Sequence, residues 1–239
     1  MSYIDGFITP VAIAARERFA EHARVAAAIV REHGARRVVD TWGEDVPAGE
    51  RNDIAGAVRL GAGETASFGW IEFTDRAARD AFGEAIVTDE RLAALGLPPF
   101  DVSHMILGGF EVIVDTGRGA APGFVDGYVL PVPPTRRADY VALAEAASPV
   151  FLDHGAIRHV EAWGDDLPAG ETVDFRRAAL AEKEESVVFS WVEWPDRATR
   201  DRATPLVMAD ERMAKLLLTP LPFDGKRMIY GGFAVLNEH

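Results

Sequence analysis

Hydrophobic and polar residues alternate in four stretches of the second half of the chain. A period of two is typical of β-strands, because successive side chains point to opposite faces of a sheet. The alternation predicts strands over 124–132, 156–163, 187–194 and 226–236.

Two other stretches repeat their apolar residues every three or four positions, which is typical of amphipathic helices. The first helix would end at Gly155, and its apolar face comprises Tyr140, Leu143, Ala144, Ala147 and Phe151. Asp196 can cap the second, which the pattern extends over 197–217. The segment 174–180 fits either a short helix or a strand.

The chain contains an internal repeat. When it is shifted by 121 residues, 33 of the 89 positions in 3–91 are identical to those in 124–212. "WGEDVPAGE" at Trp42 then falls on "WGDDLPAGE" at Trp163. A similarity of this length indicates a duplication, so the elements of the second copy are expected in the first.

Glycine and proline are frequent between the copies, which is typical of a linker. We therefore predict a first unit over 1–115, a linker over 116–123 and a second unit over 124–239. The order β-α-β-β-α-β in each unit is that of a ferredoxin-like fold, an antiparallel sheet of strand order 4-1-3-2 with both helices on one face. Because an exposed apolar sheet face promotes aggregation, we expect the two sheets of this α+β protein to cover each other.

The strands of the second unit are expected to carry two chemically different faces. A small, aliphatic face under the helices would comprise Val125, Gly127, Val129, Val160, Ala162, Val188, Ser190 and Val192. An aromatic and acidic face toward the other sheet would comprise Phe124, Asp126, Tyr128, His159, Glu161, Trp163, Phe189, Trp191 and Glu193. In the first unit the corresponding face would include Asp5, Trp42, Trp70 and Glu72.

The acidic face raises two alternatives, because a buried carboxylate without a partner costs several kcal/mol. The carboxylates can pair with arginines while the aromatic rings join the sheets. Alternatively, they can line a wet cavity that binds or processes a small molecule. His159 could act as an acid or a base there, although a lone strand histidine is more often a hydrogen-bonded core residue. The catalytic candidates are His159, Glu193 and Tyr230.

The two copies end alike, with "PFDVSHMILGGF" from Pro99 and "PFDGKRMIYGGF" from Pro222. The shared glycine pair lies inside a strand pattern and indicates a bulge or a close backbone approach. Only the second copy has Lys226, Arg227 and Tyr230, and the two cations are candidates for anion binding. The ligand-binding candidates are therefore Asp126, Glu161, Trp163, Trp191, Lys226 and Arg227.

The net charge and the residue composition exclude several classes of function. A net charge of −13 disfavours a nucleic-acid partner. The chain has no cysteine, so disulfides and thiolate metal sites are excluded, and we expect no metal and no cofactor. The absence of a long apolar run and of a signal-peptide pattern predicts a cytoplasmic protein without a membrane partner.

The motifs "VDGYVLPVP", "WGDDLPAGETVDFRRA", "VVFSWVEWPDRATRD", "DERM" and "PFDGKRMIYGGF" resemble the bacterial YbaA-like family of domains of unknown function. The resemblance covers the second copy, and members usually hold one such domain, so this chain resembles a tandem fusion. It implies the dimeric α/β-barrel superfamily, here as an intramolecular pseudo-dimer. The first copy departs from the pattern, with Asn52 and Gly56 where the second has Val173 and Arg177.

Three functions remain open at this stage. The first is a small-molecule-binding protein with one polar and aromatic pocket in the second repeat. The second is an enzyme of the isomerase or cofactor-free oxygenase type, with His159, Glu161 or Glu193 as base and Tyr230 as donor. The third is a structural or interaction protein whose charged groups are internal salt bridges. Further association of pseudo-dimers is compatible with all three.

Overall fold

Antiparallel strands from both repeats form the sheet. In the computed structural model, which describes residues 2–117 and 121–239, eight strands are present: β1 Tyr3–Ala12, β2 Arg37–Asp45, β3 Glu64–Phe73, β4 Ile106–Thr116, β5 Phe124–Val132, β6 Arg158–Asp166, β7 Ser186–Trp194 and β8 Ile229–Glu238. Residues 118–120 of the predicted linker lie outside the described residues.

The strand order confirms the ferredoxin-like pattern in both repeats. It runs β4-β1-β3-β2 in the first repeat and β8-β5-β7-β6 in the second, which is 4-1-3-2 each time. The two sheets also pair at their edges, β2 with β8 and β4 with β6, so the barrel is closed. Closure leaves no open sheet edge for pairing with another chain.

Helices cover the outside of the barrel. Within the described ranges they are α1 Arg16–Glu32, α2 Ile54–Ala57, α3 Arg76–Ile86, α4 Glu90–Ala94, α5 Arg137–Asp153, α6 Phe175–Ala178, α7 Arg197–Ala209 and α8 Glu211–Leu218. The long helices α1 and α5 occupy equivalent places, α1 against β2 and α5 against β6. Every helix in the described parts of the chain is too short or too polar to cross a bilayer.

Local capping explains where the helices begin and end. Gly155 follows α5 with φ +105°, a left-handed conformation that ends the helix as predicted. The continuous helix predicted over 197–217 is wrong, because Asp210 has extended backbone and its carboxylate accepts from the Arg212 N–H to begin α8. The ambiguous segment 174–180 contains the short helix α6, which Asp174 caps.

The barrel interior is filled by aromatic rings from both repeats. Phe68 stacks on Phe189 with centroids 4.2 Å apart, and Trp70 lies 4.4 Å from Trp191. A Cβ on Gly127 would lie 2.8 Å from the Phe68 ring, so glycine makes room for that ring. The repeats therefore share one core.

The predicted division of the strand faces is wrong in part. In the register of β5, β6 and β7, the pairs Val125–Glu193, Gly127–Trp191 and Ala162–Phe189 stand directly opposite each other and share a face. The aromatic residues of β7 therefore point inward with the aliphatic residues of β5 and β6. The outer, helix-covered face instead carries Asp126, Tyr128, His159, Glu161, Trp163, Val188, Ser190 and Val192. Register between strands is set by the tertiary structure, so alternation within single strands could not assign the faces jointly.

Candidate functional site

Glu193, a predicted catalytic candidate, lies in a salt-bridge network at one end of the barrel. Arg37 holds it with two hydrogen bonds of 2.6 and 3.0 Å, and the Trp191 indole N–H donates to it at 2.9 Å. The repeat-related pair is Arg158 and Glu72, joined at 2.7 and 3.1 Å. Burial raises the pKa of Glu72, but the hydrogen bond and charge of Arg158 outweigh it and hold that pKa below its usual value. This network joins the two repeats.

Asp126, a predicted ligand-binding candidate, is part of a second inter-repeat contact. It accepts from Arg200 at 2.8 Å and from the Trp194 indole at 2.9 Å. Burial raises its pKa to about 6, against the opposing charge of Arg200. Arg200 also donates to Asp45 of the first repeat at 2.9 Å. The equivalent arginine of the first repeat, Arg79, likewise donates to Asp5 of its own repeat and to Asp166 of the second repeat.

The three residues that distinguish the second copy's ending do not share a pocket. Arg227 donates to Glu185 at 2.6 and 2.8 Å, an ion pair with little exposed surface. Lys226 is exposed and lies 3.4 Å from Glu50. The Tyr230 ring is partly exposed and stacks beside Tyr128, with centroids 6.3 Å apart. Lys226 and Arg227 therefore form salt bridges in the turn before β8, and Tyr230 lies on β8 itself.

The two tryptophans among the ligand-binding candidates lie on opposite sides of the sheet. Trp191 is inside the barrel against Trp70. Trp163 is on the outer face, where the Arg137 guanidinium lies 5.3 Å from its ring centroid. The structure therefore does not bring them together.

A pocket of about 160 Å³ lies on the outer face of the second repeat, between the sheet and the helices α5 and α8. Its walls are mainly apolar side chains of α5 and α8, together with Leu221, Phe223 and Met228. The polar groups that line it are Tyr128, Tyr140, His159, Glu161 and Ser190. Two residues from the sequence-based candidate set, His159 and Glu161, thus lie next to each other in a pocket.

His159 and Glu161 belong to a buried hydrogen-bond chain. His159 Nε2 lies 2.8 Å from Glu161 Oε1, and its Nδ1 lies 2.7 Å from Ser148 Oγ. The Tyr140 hydroxyl donates to Glu161 Oε2 at 2.6 Å. All four side chains are buried. Hydrogen bonds in such a low-dielectric environment are stronger than in water.

The hydrogen-bond partners of these four side chains determine where the protons lie. Ser148 donates its single hydroxyl proton to the Ala144 carbonyl at 2.9 Å, so its oxygen accepts from His159 Nδ1–H. The remaining contact, between His159 Nε2 and Glu161 Oε1, then shares one proton. Burial and the nearby Glu161 carboxylate raise the pKa of Tyr140 well above its usual value, so Tyr140 stays a donor at neutral pH. Tyr140 and Ser148 therefore hold the pair in place, and the Glu161 carboxylate, which lines the pocket, keeps lone pairs that these contacts do not use.

Sequence reasoning missed Ser148 and assigned Tyr140 only to a helix face. The signal was present in the comparison of the repeats. At the positions of Tyr140, Ser148 and His159 the first repeat has Phe19, Ala27 and Val38. Three polar residues that are all apolar in the other copy would have indicated a shared site.

The residues of the pocket do not resemble a metal centre. In the two described stretches of the chain, no three His, Asp or Glu side chains are grouped so that they could hold a metal ion. Both ring nitrogens of His159 already contact protein groups, Ser148 and Glu161, so the imidazole has no nitrogen left for a metal ion.

Comparison with protein families gives matches in both repeats. The family model described as "Protein of unknown function (DUF1428)" matches residues 2–102 and 123–225. The protein YbaA of Escherichia coli strain K12, described as uncharacterized, is 49% identical over 116 residues. That alignment covers 48% of this chain and 98% of YbaA.

Solved structures share the barrel across the whole chain. A putative monooxygenase from Fusobacterium nucleatum superposes with a TM-score of 0.63 at 10% identity, covering 100% of this chain and 94% of that one. A putative monooxygenase from Lactobacillus acidophilus gives 0.60 at 11% identity, covering 99% and 95%. An anthrone oxidase-like protein gives 0.54 at 13% identity, covering 100% and 92%. At these identities the likeness shows the fold alone.

Proposed function

The chain belongs to the DUF1428 family, and we propose that it binds a small, mainly apolar molecule in the pocket of the second repeat. The His159–Glu161 pair recognises the polar group of that molecule, and the side chains of α5 and α8 enclose its apolar part. The observation that carries this proposal is a buried imidazole–carboxylate pair that lines an otherwise apolar pocket.

The size and polarity of the pocket define the ligand class. A dry protein cavity of about 150 Å³ binds benzene, so a pocket of about 160 Å³ suits a molecule with one ring. Ligand sites usually combine apolar walls with a few well-placed polar groups. A phenol, an enol or a ring-bearing amide has both parts.

The shared proton of His159 and Glu161 favours a second candidate function, which is proton transfer. A pair that holds one proton between two heavy atoms 2.8 Å apart can accept a proton from an acidic O–H or C–H of the bound molecule. Neighbours of this fold include proteins described as putative monooxygenases and as anthrone oxidase-like. Abstraction of a proton from an aromatic or enolisable molecule is the chemistry that this pair supports.

A thermal-shift screen of single-ring metabolites tests the proposal. A ligand should raise the melting temperature of the wild type, and Glu161→Gln should reduce that shift. Arg227→Ala is the matched control, because Arg227 pairs with Glu185 and does not line the pocket. A ligand whose shift survives Glu161→Gln but is lost in Arg227→Ala would contradict the proposal.

Deuterium exchange separates binding from proton transfer. In D₂O, the bound molecule's acidic C–H should exchange faster with wild-type protein than with Glu161→Gln, as followed by NMR. Binding without accelerated exchange would support the binding protein and exclude the proton-transfer function.

A further inference from the structure

The first repeat contains its own pocket at the equivalent place, on the outer face between α1 and the sheet. Its volume is also about 160 Å³. Three aromatic rings line it, those of Phe7, Phe19 and Phe100. The carboxyl group of Asp40 lines it at the position that Glu161 has in the second repeat.

The first repeat keeps this carboxyl group but lacks the groups that bind it in the second. Tyr140, Ser148 and His159 are replaced by Phe19, Ala27 and Val38. Packing alone does not explain why an acid remains there, because a buried carboxylate without a partner is costly.

Asp40 is nine-tenths buried, with 7% of its surface exposed. Within residues 2–117 and 121–239 its carboxyl group forms no hydrogen bond with another protein group, whereas Glu161 has two such partners. Thr9 lines the same pocket, and the residue directly opposite it in the sheet, Ser67, has a buried hydroxyl without a partner in the described chain. Unpaired buried polar groups are rare in folded proteins. Asp40 therefore presents an unpaired carboxyl group to a molecule in this pocket.

The charges around the pocket indicate the sign of that occupant. Burial alone raises the pKa of Asp40 to about 7. The other titratable group in the lining is His22 of α1, whose pKa burial and Arg18 both lower, so it is neutral at physiological pH. A cation is therefore the partner that would keep Asp40 ionised.

We propose that the pocket of the first repeat binds a small protonated amine with an apolar body, whose ammonium group donates to Asp40 and contacts the rings of Phe7, Phe19 and Phe100. An ammonium group provides both the charge and the N–H donors that Asp40 lacks, and aromatic faces attract cations. A metal ion fits less well, because the pocket offers one carboxylate where Mg²⁺ or Ca²⁺ needs several oxygen ligands. The site is separate from the pocket of the second repeat.

Calorimetric titration with 2-phenylethylamine and its neutral counterpart 2-phenylethanol at pH 7.5 tests this site. The amine should bind the wild type more tightly than the alcohol does. Asp40→Asn should weaken amine binding by about tenfold or more, because a charge-assisted hydrogen bond is lost. Asp80→Asn, which removes an exposed carboxylate of the same repeat, should leave amine binding unchanged.

A second measurement on the wild type keeps the test independent of how the variants fold. Because Asp40 is partly protonated near neutral pH, amine binding at pH 7 should release a fraction of a proton, which titration in two buffers of different ionisation enthalpy detects. Equal affinity for amine and alcohol, an unchanged affinity in Asp40→Asn, or no binding of the amine would each overturn the proposal. A failure of the second-repeat pocket to bind any metabolite would leave this result unaffected.

Discussion

Phe68 and Phe189 stack with their ring planes 8° apart, and they are equivalent residues of the two repeats. Equivalent residues can touch each other only near the axis that relates the copies, so this stack marks the pseudo-twofold axis of the barrel. Trp70 and Trp191 form the next such contact. Neither repeat has a core of its own inside the barrel.

The first prediction concerns this shared core. Phe189→Ala should lower the free energy of unfolding by about 3–5 kcal/mol, because it leaves a cavity among Phe68, Phe110 and Trp191. Both repeats should then unfold together at a lower urea concentration, as followed by tryptophan fluorescence. Tyr230→Ala, at a partly exposed ring, is the control and should cost far less. Separate unfolding transitions for the two repeats would contradict a shared core.

The second prediction concerns an isolated repeat. Residues 121–239 expressed alone should form a symmetric dimer, because the monomer would expose Phe189 and Trp191 and leave the edges of β6 and β8 unpaired. Light scattering after size-exclusion chromatography gives the mass directly. A stable monomer with a cooperative unfolding transition would show that the repeats do not depend on each other.

The third prediction concerns pH and Asp40. The pKa of Asp40 is about 7 in the folded protein, against an ordinary value of 3.8. Between pH 3.8 and pH 7, Asp40 is therefore ionised in the unfolded state but keeps its proton in the folded state. Stability should therefore fall by up to about 1.4 kcal/mol per pH unit from this group as pH rises through that window. Asp40→Asn lacks this loss. In urea unfolding at pH 4.5, 6 and 7.5, the free energy of unfolding of the variant should rise relative to that of the wild type as pH increases. A difference that does not change with pH would contradict the raised pKa of Asp40.

The fold could be predicted because local sequence patterns that occur in both repeats determine it. Alternation, the cap at Gly155 and the 121-residue repeat give the βαββαβ order, and the requirement to cover apolar sheet faces gives the pairing of the sheets. The faces were misassigned because the register that places Glu193 opposite Val125 depends on contacts between strands. One of the two alternatives was that buried carboxylates pair with arginines. Glu193 does so, because it forms a salt bridge with Arg37.

The candidate site was only partly accessible to sequence reasoning. His159 and Glu161 are two residues apart on one strand, so alternation places them on one face. Ser148 and Tyr140 reach them from α5, and that contact follows from how the helix packs on the sheet. No pattern within a single repeat specifies it. The difference between the two repeats does, and it also identifies Asp40 as a carboxyl group whose repeat lacks the equivalent polar residues.

The last prediction tests the salt-bridge network at the end of the barrel. Arg158→Met should lower the free energy of unfolding by about 3–5 kcal/mol at pH 7, because it leaves Glu72 buried without its main partner. The pKa of Glu72 is held below its usual value in the folded protein, so its contribution is present above the unfolded pKa of about 4.3 and is lost as pH falls through the folded pKa. The difference between wild type and variant should therefore shrink in acid. Arg24→Met, at an exposed pair with Glu21, should cost far less. Equal losses for the two variants in urea unfolding would show that the network contributes no more than a surface pair.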